Sequence, residues 1–132
     1  PQVMQFFPDL VHRAEGHALV RMGRMEEGIA LLKRAEQNFR EKYDLHIANA
    51  IGYEILQIIY DNELPGFEET LARLQPNLGM EYQILKVQAK YLARQGNYVQ
   101  ASLVLQEDKQ GANEYWNADD QLLLESYLEH TR

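Results

Sequence analysis

At 132 residues the chain is long enough for one domain with a real apolar core, and its 45% hydrophobic and 25% charged content is that of an ordinary globular protein. A net charge of −7 disfavours a general nucleic-acid or anionic-membrane partner, which would need a basic footprint. The absence of cysteine excludes disulfides, thiolate nucleophiles and thiolate metal sites.

The first helix is expected to open at Pro8-Asp9, with Pro in the first turn. Phe7, Leu10, Val11, Ala14, Ala18 and Met22 give it an apolar stripe, and Gly23 ends it. A second helix follows from about Met25 to Lys42. Glu26 and Glu27 sit in its first turn, and Ile29, Leu32, Ala35 and Phe39 form its inner face. The third, from Leu45 to about Tyr60, is apolar around much of its circumference and should be central. Pro65-Gly66 breaks the chain, and Phe67, Leu71 and Leu74 mark a short fourth helix that stops before Pro76.

The fifth helix is expected over about Met80–Gln95 and the sixth over Tyr98–Glu107. Asp108–Asn117 is the least helical stretch. Asn117 and Asp120 have capping-box spacing, and a seventh helix follows with Leu122, Leu123, Leu124, Tyr127 and Leu128. No segment has the alternation of a strand, and no hairpin signal is present. No apolar run reaches the ~20 residues of a membrane-spanning helix. The start lacks both a signal peptide pattern and an initiator Met, as an excised or processed segment would. The expected compartment is the cytoplasm, or the periplasm if a preceding anchor or signal has been removed.

Two stretches repeat each other. Ala14–Leu32 lies over Val87–Leu105 without a gap, at an offset of 73 residues read from Gly23 and Gly96. Gly16 falls on Ala89, Leu19 on Leu92, Met25 on Tyr98, Gly28 on Ala101 and Leu32 on Leu105. Each copy reads as helix, Gly turn, helix. Small residues at 16/28 and 89/101 would let the two helices pack closely. This pattern resembles the tetratricopeptide repeat family, with Gly96–Ala101 the best single match. A middle unit over Ile51–Leu74 completes the period, with Tyr60, Phe67 and Thr70 in the places of its aromatic and small residues. Ala30–Ile55 also resembles the longer units in sensor arms of some bacterial transcription regulators.

The resemblance implies an all-α fold of antiparallel helix hairpins, stacked as a right-handed α-α superhelix of about seven helices. Hairpins are expected at about 9–42, 45–75 and 80–107, with a terminal helix at about 118–130, in one domain. It implies a scaffold or regulatory domain that holds a partner peptide or helix in a concave groove. A ligand-sensing arm of a bacterial signalling or transcription regulator is the alternative, and a small helical enzyme the remote one.

Candidate partner-binding residues follow from the repeat. Arg13, His17 and Arg21 recur at i, i+4, i+8, and the 73-residue shift carries them to Lys86, Lys90 and Arg94. That spacing drifts only about 40° per step, so each triple is one stripe. The stripes read either as a solvated face or as a clamp for partner carboxylates, with a protein or peptide partner that is itself acidic. Glu54 and Asp61 of the middle helix would neutralise them. On the clamp reading, reversing Lys86 and Lys90 to Glu weakens binding without unfolding the domain. Tyr115 and Trp116 read either as an aromatic anchor for a partner or as a pin for their own loop. The apolar seventh helix offers a homodimer face. The acid pairs at 26–27, 68–69 and 119–120 each begin a helix, where dipole and capping account for them. His12 and His17 lack the i, i+4 spacing of a zinc pair, no nucleophile elbow or Gly-rich phosphate loop is present, and no cofactor is expected.

Overall fold

In a computed structural model the chain is all-α. The structure describes residues 2–42, 44–74, 80–111 and 116–132, and in the first helix it describes side chains from residue 8 onward. Among the described residues there are seven helices and no strand. Contacts cluster into two compact units, Pro1–Gly79 and Met80–Arg132, and each is taken by itself.

The first unit holds α1 (Gln2–Arg21), α2 (Met25–Glu41), α3 (Leu45–Asp61) and α4 (Phe67–Arg73), each packed on the next. α1 begins at Gln2, ahead of the expected Pro8, and runs through that proline. Pro8 is exposed, so its ring meets solvent, and the helix forgoes one backbone hydrogen bond there. The α1–α2 contact is made by backbone. A Cβ on Gly28 would stand 2.7 Å from the Gly16 carbonyl oxygen, and one on Gly16 would stand 2.9 Å from the Gly28 oxygen. α3 is central, as its composition predicts: Ala48, Ile51, Ile55 and Leu56 are fully buried. Buried acids brace the unit. Asp9 on α1 accepts from Asn38 Nδ2 (2.7 Å) and pairs with Lys42 Nζ (3.0 Å). Glu36 on α2 takes Arg40 Nη2 at 2.8 Å and, from α4, Arg73 Nη2 at 3.2 Å.

The second unit holds α5 (Glu81–Arg94), α6 (Tyr98–Gly111) and α7 (Ala118–Glu129). Its core is Ala89, Ala93, Ala101, Val104, Leu105, Leu124 and Tyr127. α6 outruns its expected end at Glu107 and reaches Gly111, where a Cβ would meet the Tyr82 ring at 3.0 Å. Asn117 and Asp120 form the reciprocal capping box predicted for α7.

The repeat is equivalent in geometry as well as in letters. Gly23 and Gly96 both have φ +85°. Gly23 N–H donates to the Val20 carbonyl (3.0 Å) and Arg24 N–H to that of Leu19 (2.9 Å); Gly96 donates to Ala93 and Asn97 to Leu92, both at 2.9 Å. Each is a Schellman stop on a left-handed glycine. The correspondence runs on, because Asp44 and Asn117 each accept from the backbone N–H three residues later at a helix start. A third such stop ends α3, where Glu63 N–H reaches the Tyr60 carbonyl (3.3 Å) and Leu64 N–H that of Ile59 (3.0 Å). There Glu63 holds φ +53° without being glycine, at a cost of about 1–2 kcal/mol. Pro65 and Gly66 then intervene before α4, whereas Met25 directly follows Arg24. The middle turn is therefore longer than the turn at Gly23.

Candidate functional site

The basic stripe of α1 is largely answered by α3. Arg13 Nε donates to Glu54 Oε1 at 3.0 Å, Arg13 Nη2 pairs with Glu54 Oε2, and His17 Nε2 lies 2.7 Å from Glu54 Oε1. Burial works to raise the Glu54 carboxyl, but the hydrogen bonds from Arg13 and His17 outweigh it and hold the group below its ordinary range. Asp61 accepts from Gln57 Nε2 of its own helix at 2.9 Å. Arg21 is exposed.

In the second unit Lys86 stands at the repeat position of Arg13 and is also claimed by the third helix of its unit. Its Nζ lies 2.9 Å from Asp120 Oδ2 on α7. Lys90 and Arg94 are exposed. Arg13, His17 and Lys86 are therefore cross-braces, and the outward part of the two stripes is Arg21, Lys90 and Arg94. Lys86→Glu is then not a neutral surface change. It breaks the Asp120 pair and sets a third carboxylate beside Asp120 and Asp108, so it should cost about 1–2 kcal/mol. Urea unfolding at pH 7 checks this, and an unchanged midpoint would remove the cross-brace reading.

Trp116 is half-buried against the second unit's core. Its Nε1 donates to Gln121 Oε1 at 3.1 Å, and Lys109 Nζ donates to the same oxygen at 3.0 Å while lying 5.8 Å from the ring centre. These contacts pin α6 to the start of α7 and fit the structural role. Tyr115 lies outside the described residues. The apolar face of α7 turns inward: Leu124 and Tyr127 are core, and Leu122, 64% exposed, is what remains for a homodimer face.

A groove that the sequence did not disclose opens on the first unit. Met25, Ile29 and Lys33, one stripe of α2, line it together with Glu26 and Ala30, with Ile59 at the end of α3 and Leu64-Pro65 in the turn after it. Its volume is about 290 Å³. The local chain explains it. The Schellman stop at Glu63 returns the Leu64 N–H to the Ile59 carbonyl, and Pro65 and Gly66 lengthen the turn before α4, which leaves Leu64 and Pro65 beside Ile59 in the groove wall. Ile29, expected among the inner residues, is only half-buried because it lines this groove, while Leu32, Ala35 and Phe39 are fully buried. The lining is apolar between an acid and a base seven residues apart on one helix, about 10 Å along its axis. Such a slot can take an aliphatic or aromatic side chain and orient what carries it.

Among the described residues no cluster of His, Asp or Glu is arranged to hold a metal ion, and no helix is long and apolar enough to cross a membrane. The described residues define an all-α protein built on a repeated helix hairpin, with an apolar groove on its first unit. No family model matches the chain, and no curated protein or solved structure matches it.

Proposed function

We propose that the chain is a protein-interaction module of the helical-repeat type, resembling tetratricopeptide repeats, and that it seats a partner segment on the α2 groove. The observation that carries this is the groove itself: an open apolar slot bounded by Glu26 and Lys33. Small-molecule sites typically enclose ~300–1,000 Å³ and most of their ligand. A slot at or below that range, open along one side, suits one or two anchoring side chains better than an enclosed metabolite. This favours partner binding over ligand sensing. The opposite charges at its ends favour a helical segment with an apolar residue midway, a base toward Glu26 and an acid toward Lys33. Arg21 on α1 offers further exposed positive charge to an acidic partner.

A random-peptide display selection on the intact chain tests the reading. Enriched peptides should carry a large apolar residue flanked by opposite charges. Ile29→Asp should weaken their binding by tenfold or more while the protein still melts cooperatively. Peptides that bind Ile29→Asp and Met25→Asp as well as the parent would refute it. So would a metabolite screen in which a compound raises the melting temperature of the parent but not of Ile29→Asp, since the groove would then be a ligand pocket.

A further inference from the structure

Among the described residues, the buried polar side chains of the second unit are Ser102 and Asp108. Ser102 is satisfied, its hydroxyl donating to the Val99 carbonyl at 2.8 Å. Asp108 is not. It has no exposed surface, and neither carboxylate oxygen meets a hydrogen-bond donor among the described residues. The first unit treats its buried acids differently, giving Asp9 both Asn38 and Lys42 and Glu36 both Arg40 and Arg73. The repeat sharpens the contrast. The counterpart of Asp108 on α2 is Ala35, also without exposed surface. One unit places a methyl where the other places a carboxyl.

An ionised carboxylate sealed from water without donors is among the costliest groups a core can hold, and the neutral acid is far cheaper. Among the described residues, the charged groups that face Asp108 are Lys86 on α5 and Asp120 on α7. Lys86 is already paired with Asp120, and Lys109, the next residue on α6, is turned to Gln121.

We propose that Asp108 is a proton-operated latch of the second unit: the packing of α5, α6 and α7 tightens when this carboxyl is protonated and loosens when it ionises. Burial pushes the carboxyl up to about 6, with Lys86 opposing and Asp120 reinforcing the rise. Because the folded-state value lies above the unfolded 3.8, folding takes up a proton. The resulting stability is complete below about pH 4 and is lost as pH rises through about 6. The first unit responds at a different pH. Its Asp9 and Glu54 are held below their ordinary values, so their contribution is present above about pH 4–5 and is lost only in stronger acid.

Hydrogen exchange on the full chain, read peptide by peptide from pH 7.5 to 5 and corrected for intrinsic exchange rates, tests the latch. Peptides from α5–α7 should gain about tenfold in protection over that range, while peptides from α1–α4 stay level. Asp108→Ala, which copies Ala35, and Asp108→Asn should each abolish the gain, and Asp108→Ala should be at least as protected at pH 7.5 as the parent is at pH 5. Trp116, the chain's one tryptophan, reports on the same unit, and its emission should shift with pH in the parent and not in Asp108→Ala. A parent without pH response in α5–α7, or variants that keep the parent's response, would overturn the proposal.

Discussion

Gly28→Ala should cost the first unit about 2–3 kcal/mol, lowering its melting midpoint by roughly 10 °C or more. Alanine is the better helix former by about 1 kcal/mol, so propensity alone predicts a gain. Packing decides otherwise. The added Cβ would stand 2.7 Å from the Gly16 carbonyl oxygen, 2.7 Å from Val20 Cγ2 and 3.0 Å from the Val20 nitrogen. Two of those three atoms belong to backbone and cannot swing aside, so α1 must move off α2. The repeat supplies a control of opposite sense. Ala101 occupies the same place on α6 and is fully buried, so Ala101→Gly removes a methyl the second unit needs and also destabilises, by about 1–2 kcal/mol. Thermal melts of both variants check the pair. A neutral or stabilised Gly28→Ala would mean that α1 and α2 do not touch through backbone.

Glu36→Ala is expected to be at least as damaging, at about 3 kcal/mol. Glu36 is 3% exposed and holds two guanidiniums, Arg40 from its own helix and Arg73 from α4. Removing it strands Arg40, whose side chain is 17% exposed and whose Nη1 already lacks a partner. Arg73 is 39% exposed and can return to water, so Arg73→Ala should cost less, within about 1 kcal/mol. A denaturant series on Glu36→Ala, Arg40→Ala and Arg73→Ala should rank them in that order. An equal loss at 36 and 73 would mean that the α2–α4 link, and not the buried carboxylate, sets the cost.

Much of this fold is legible in the residues because it rests on local rules. The glycines at 23 and 96 mark left-handed helix stops, the small residues at 16/28 and 89/101 mark close crossings, the isoleucines of α3 mark a central helix, and Asn117-Asp120 marks a cap. What escaped the sequence depends on tertiary partners. α6 runs past Glu107 because Lys109 finds Gln121 and Gly111 finds the Tyr82 ring, neither of which periodicity reveals. Asp108 falls in the stretch that reads as least helical, and its polarity hides a core position that Ala35 shows plainly in the other copy. The groove is invisible for a related reason. A half-exposed Ile29 and a fully buried Leu32 carry the same signal in a helical pattern, and only the backbone around Glu63–Pro65 distinguishes them. The basic stripes and Glu54 as their neutraliser are legible in the residues, but Asp120, which takes Lys86, sits two helices further along the chain, where no spacing rule points to it.

The outer wall of α7 gives the second unit a one-sided character. Where α3 buries Gly52 and Leu56, with Leu74 coming in against the glycine, the repeat sets Glu125 and Glu129 on α7, both exposed. Anything stacking there as α4 stacks on α3 would have to strip water from two carboxylates, at several kcal/mol unless it brought cations to meet them. That wall turns away greasy neighbours and admits basic ones.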